Sequence, residues 1–114
     1  MRLYLAGPMR GYADFNVHAF RAWAAKLRAA GHEVFSPAES TEAIYGAGIY
    51  DGKAGDEAAA GIDSRTVFAA DLAWLCAEAD AVALMPGWEA SKGALAERAA
   101  AIALGIDVIL LGGE

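Results

Sequence analysis

Glu97 has more chemical potential than any other side chain in this sequence. It stands in "MPGWEASKGALAERA", Met85–Ala99, where an apolar run ends in Pro-Gly-Trp-Glu, passes through Ser-Lys-Gly and opens a helix. A helix start attracts negative charge through its dipole and binds phosphate through its free N–H groups. Ser91 and the N–H groups near Gly93 could cradle an anion there. Glu97 lies four residues beyond Gly93, so helical spacing turns it the same way as Gly93 and Ala94. The small residues Gly93, Ala94 and Ala96 leave space around it. The plainer alternative is a Glu97 that pairs with an exposed Arg or improves the helix dipole.

A second carboxylate, Asp71, falls in "FAADLAWL". Val67, Asp71, Trp74, Leu75 and Glu78 trace one helical stripe, and Asp71 interrupts its apolar upper part. An unpaired carboxylate is costly to bury, so the alternative is a stripe-edge Asp71 bridged to Arg65 or Arg98. The loop "GPMRGY" offers a third set. Gly7 and Gly11 allow close backbone approach to a ligand, and the fork of Arg10 suits phosphate or carboxylate. The same loop reads equally as a tight turn with a solvated Arg. It is neither the G-x-G-x-x-G fingerprint nor a Walker loop. Tyr4, on a buried strand, is core by type, but its hydroxyl needs a partner and the strand end brings it near a rim. His18 and His32 lack metal-pair spacing and are expected at the surface. No Cys/His set has zinc spacing.

These residues need a scaffold. "RLYLA" (Arg2–Ala6), "HEVFSP" ended by Pro37, "DAVALM" and "DVILL" read as strands. Helices are expected over Phe15–Ala30, Ile62–Ala79 and from Ser91 or Lys92 to Leu104, with Gly31 and Gly105 as stops. Asp14 or Asn16 is the expected cap of the first helix. Glu39–Gly61, rich in glycine and alanine, reads as a long loop with at most a short helical turn. Strands alternating with helices predict βαβ units. The strands are apolar without alternation, as expected of a sheet buried on both sides. The expected architecture is α/β: a single Rossmann/flavodoxin-like three-layer domain over residues 1–114, with about four parallel strands and helices on both faces. In such sheets ligands bind beyond the carboxyl ends of the strands. The loops Gly7–Asp14, Ser36–Gly61 and Pro86–Lys92 all leave from that rim.

Composition sets bounds. The chain has 114 residues, 57% of them hydrophobic, enough for one domain with a real core. The net charge of −6 argues against nucleic-acid partners, which need clustered Lys and Arg. No apolar run of about 18 residues exists, so no membrane partner is expected, and "MRLYLAG" is too short for a signal peptide. The single cysteine, Cys76, cannot form an internal disulfide. It is expected to be buried as a small hydrophobe, and a cytoplasmic location is the natural one.

"YLAGPMRGY" followed by Asn16, then "DLAWLCAEADAVALMPGWEASKGALAE", resembles the nucleoside 2-deoxyribosyltransferase-like superfamily, including small phage and bacterial domains with a YLAGPM start. It is also similar to the 2'-deoxynucleoside 5'-phosphate N-hydrolases. The similarity covers nearly the whole chain apart from Thr41–Gly61. The resemblance implies cleavage of the N-glycosidic bond of a deoxynucleoside or its 5'-monophosphate, by hydrolysis or base transfer, with no cofactor and no metal. Carried over by position, Glu97 is the nucleophile at C1', Tyr4 the hydroxyl that orients it, and Asp71 the carboxyl group that helps the base depart. Gly7, Arg10 and Gly11, with Ser91 and Gly93, match positions that hold the 5'-phosphate. Trp88 could stack on a base or cap the pocket, Lys92 could add a phosphate contact, and Asn16 belongs to the matched motif. The base-side segment, Ser36–Gly61, matches least. A catalytically silent nucleotide-binding module of the same fold is the alternative. A phosphoribohydrolase would carry a Gly-Gly-rich phosphate motif with Thr and Glu, which is absent. Exposed helix faces and the short chain point to a homo-oligomer.

Overall fold

A computed structural model describes residues 1–53 and 55–112. Four parallel strands, β1 (Arg2–Ala6), β2 (Glu33–Phe35), β3 (Ala81–Leu84) and β4 (Asp107–Leu110), form one sheet in the order β2-β1-β3-β4. This is the Rossmann/flavodoxin-like arrangement, and its strand order reverses between β1 and β3. Leu3 pairs with Val34 on one side and Ala81 on the other; Tyr4 pairs with Phe35 and Val82.

The helices α1 (Val17–Ala29), α2 (Pro37–Tyr45), α3 (Ser64–Glu78) and α4 (Lys92–Leu104) cover the sheet. Alternate strand residues face opposite layers. Leu5 and Ala83 pack with Phe20 and Ala24 of α1, whereas Tyr4, Ala6, Val82 and Leu84 pack with Leu75 of α3 and Ala94 and Ala101 of α4. Both faces are therefore dry, as a parallel sheet requires. Among the described residues no helix is long and apolar enough to cross a membrane.

Several local expectations are corrected. Pro37 does more than end β2: it opens the nine-residue α2, so the segment from Glu39 begins as helix rather than loop. Proline's fixed φ suits a first helical position, where no N–H partner is needed. The first long helix starts at Val17, and neither Asp14 nor Asn16 caps it through its side chain. Asp14, Phe15 and Asn16 instead take positive φ in a short turn before α1. Asn16 Nδ2 donates to the Pro8 carbonyl at 3.0 Å, and Phe15 is driven into the core. Cys76 is exposed, because α3 buries the stripe Val67–Asp71–Leu75 and turns position 76 outward. His18 is exposed, as expected, and His32 meets the N-terminal ammonium at 3.2 Å.

Candidate active site

The loops after β1 and β3 flank the point where strand order reverses, and a cavity of about 390 Å³ opens there. Gly7 keeps the two loops close. A methyl group in place of its hydrogen would stand 2.9 Å from Cβ and Sδ of Met85, so only glycine fits without displacement. Beyond Gly7, Pro8, Met9 and Arg10 form one wall. The turn after Met85 leads through Ala90 to Ser91, which forms the opposite wall with Lys92 and Gly93.

Helical periodicity supplies the rest. On α3, Ser64, Val67, Phe68 and Asp71 all reach the cavity, at the spacing of one helix face. On α4, Gly93, Ala94 and Glu97 do the same. A methyl group on Gly93 would meet only Ser91 Oγ, at 3.9 Å, so space is open beside Glu97. Ser91 Oγ caps α4 by accepting from Ala94 N–H at 3.1 Å. A hydroxyl that accepts one bond still has its own proton to donate to a ligand.

Glu97 is buried, 5% exposed, and it pairs with no Arg. The Tyr4 hydroxyl donates to its Oε2. Tyr4 is fully buried, stacked on Phe35 at 5.4 Å between ring centres, and does not itself line the cavity. Burial and the negative charge of Glu97 hold the Tyr4 phenol protonated, so it stays a donor. Burial pushes the Glu97 carboxyl up to about 8, against the lowering effect of the Tyr4 hydroxyl. Burial, then the nearby Glu57 charge, pushes Asp71 up to about 7. Asp71 is 6% exposed, its Oδ1 has no hydrogen-bond partner, and the bridge to Arg65 or Arg98 does not form. Arg98 instead lies over the Trp88 ring, 5.4 Å from its centre. Two carboxyls with raised pKa values therefore face one cavity; strongly perturbed acids of this kind cluster at functional sites.

The structure thus gathers Glu97, Asp71, Gly7, Arg10, Ser91, Lys92 and Gly93 around one cavity, with Tyr4 directly behind Glu97. Gly11, Asn16 and Trp88 are not among the lining residues; Trp88 packs against the β-sheet core beside α4. Glu57 and Ser64 were not singled out from sequence, yet both line the site. Glu57 Oε1 accepts from Arg10 Nε at 2.8 Å and from Ser64 Oγ at 2.6 Å. Ser64 had a signal, since it lies seven residues before Asp71 on the same helix face. Glu57 had none, since its segment shows no periodicity.

The fold is that of a Rossmann-like domain, with a cavity and two buried acids at the point where its strand order reverses. The profile of a domain of unknown function, DUF4406, matches residues 1–110, and the chain belongs to that family. No curated protein and no solved structure matches it.

Proposed function

We propose that this protein cleaves the N-glycosidic bond of a deoxynucleoside 5'-monophosphate or deoxynucleoside. The observation that carries the reading is the buried Tyr4–Glu97 hydrogen bond beside an unpartnered Asp71 carboxyl in one cavity. The sequence resemblance to nucleoside 2-deoxyribosyltransferase-like enzymes points to the same residues in the same roles.

Breaking a glycosidic bond leaves positive, oxocarbenium-like character on the sugar. A carboxylate at C1' stabilises that charge and traps it, as in retaining glycosidases. In the proposed first step a Glu97 oxygen bonds to C1' as the C1'–N bond breaks. The bond's electron pair leaves with the base, and the Asp71 carboxyl proton goes to the base nitrogen. In the second step water attacks C1', its proton passes to the Asp71 carboxylate, and Glu97 is released. A second base in place of water makes the reaction a transfer. The Tyr4 hydroxyl fixes one Glu97 oxygen and favours its ionised form. Apolar neighbours such as Phe68 and Val67 keep the Asp71 proton in place until a base nitrogen arrives. Lys92, Gly93 and Ser91, at the α4 start, suit a phosphate.

A silent nucleotide-binding module is favoured by the burial that pushes the Glu97 carboxyl up to about 8, since a neutral carboxyl is a poor nucleophile. Base release decides between the two. Free base is measured from the four deoxynucleoside monophosphates, the matching nucleosides and modified pyrimidines. Release that disappears in Glu97→Gln supports the enzyme; binding without release supports the module.

The remaining partner reading is a homo-oligomer located in the cytoplasm. It is supported by exposed apolar residues on neighbouring helices, Ala69, Ala73 and Cys76 on α3 and Leu95, Ala99 and Ile102 on α4. Apolar faces of this kind mark contact surfaces.

A further inference from the structure

Arg10 is the obvious anion receptor at its end of the cavity, yet it already holds an anion. Glu57 Oε1 accepts from Arg10 Nε at 2.8 Å and from Ser64 Oγ at 2.6 Å, and it lies 2.8 Å from Arg10 Nη2 in the ion pair. A guanidinium fork plus a hydroxyl at a helix start is the donor set that holds a phosphate or carboxylate. Here the chain's own carboxylate fills it. The Glu57 side chain is 17% exposed, whereas that of Arg10 is 62% exposed, so the cation remains reachable.

The segment that carries Glu57 is tied to the Arg10 loop. Gly11 N–H donates to the Gly55 carbonyl at 3.1 Å, Asp14 N–H to the Lys53 carbonyl at 2.8 Å, and Gly52 N–H to Asp14 Oδ1 at 2.8 Å. The approach is close enough that a methyl group on Gly55 would strike the Gly11 backbone nitrogen and lie 2.7 Å from that of Tyr12. Glu57 is thus held at Arg10 by a backbone strap rather than by a chance surface encounter. On the opposite wall, Lys92 takes part in no ion pair among the described residues.

We propose that Glu57 is a specificity-determining residue: it competes with a ligand's anionic group for Arg10, so an anion enters that end of the cavity only by exchanging with Glu57. The ligand rests on the nucleotide reading above, but the competition itself can be read with inorganic phosphate. The pair is partly exposed, so its competitive weight is modest.

Calorimetric titrations at low ionic strength test it, in a Glu97→Gln background that prevents turnover. The ligands are inorganic phosphate, a deoxynucleoside 5'-monophosphate and the matching deoxynucleoside. Adding Glu57→Gln should tighten phosphate and monophosphate by about fivefold and leave the nucleoside unchanged. Adding Arg10→Ala to that variant should remove the gain. Equal shifts for all three ligands would make Glu57 a mere strut and overturn the proposal, as would no shift or no phosphate binding. If phosphate shows the gain while neither nucleoside nor monophosphate binds any variant, Glu57 keeps its role and the nucleotide reading fails. Should melting curves show Glu57→Gln unfolded, Glu57→Asp replaces it. The shorter carboxylate reaches Arg10 less well, so phosphate must tighten in the same direction, and a null result there also counts against the idea.

Discussion

Replacing Glu97 by Gln should stabilise the protein, and the gain should grow with pH. An acid whose pKa is raised on folding takes up a proton between its unfolded and folded values. The folded state then binds more protons than the unfolded one, so stability falls as pH rises through that window. For Glu97 the window runs from its ordinary 4.5 up to about 8. Below the window the carboxyl is neutral in both states and costs nothing extra. Integrating across it gives a penalty of about 1 kcal/mol at pH 5, about 3 kcal/mol at pH 7 and about 5 kcal/mol above pH 9. These are upper values, since cavity water can soften the burial of the charge.

Gln has nearly the same shape and cannot ionise, and its carbonyl can still accept from Tyr4. Most of the penalty should therefore vanish. For a domain of this length, about 3 kcal/mol corresponds to a melting-temperature gain on the order of 10 °C at pH 7. Thermal or urea unfolding of both proteins from pH 5 to 9 is the assay. A melting difference that stays constant across that range would refute the argument, because then Glu97 does not carry a buried charge. In the same variant the proposed base release should fall by orders of magnitude, the usual exchange of stability for activity where a charge is buried.

Tyr4→Phe keeps the ring stack but removes the hydroxyl that donates to Glu97. A hydrogen bond to a charged group is worth about 1.5–3 kcal/mol, so kcat should fall about tenfold to a hundredfold with little change in KM. The kcat/KM profile should be bell-shaped, with limbs near 7 and 8 that belong to the Asp71–Glu97 pair together; a flat profile through neutrality would count against the pair. Asp71→Asn should cost about 10²- to 10⁴-fold on natural bases and much less on a substrate whose leaving group needs no proton. Ile102→Lys should shift light-scattering mass from dimer or higher to monomer; an unchanged mass would take the α4 face out of any assembly.

Local patterns carried much of this protein. Uninterrupted apolar stretches indicate a sheet buried on both faces, and helical spacing puts Glu97 on the side of Gly93 and Ala94 and Asp71 on an apolar stripe, while leaving open an exposed ion pair for each. Both inferences depend on neighbours within one or two turns, which a linear reading contains. The α2 helix is hard to read from sequence because nine residues are too few to be helical alone and Ser40 and Thr41 are weak helix formers, so packing of Ala38 and Thr41 supplies the stability. Cys76 is exposed, contrary to the expectation for its residue type, because so small a side chain fits either side of an alanine-rich helix.

Tertiary structure alone decided the partnerships. Tyr4 and Glu97 are 93 residues apart and meet only because β1 lies under α4. Glu57 meets Arg10 across 47 residues, from a segment without periodicity. The burial that raises the two carboxyl pKa values likewise comes from the packing of α3 and α4 against the sheet. Sequence spacing determines which way a side chain points from its own element, but the order in which elements assemble determines what it meets.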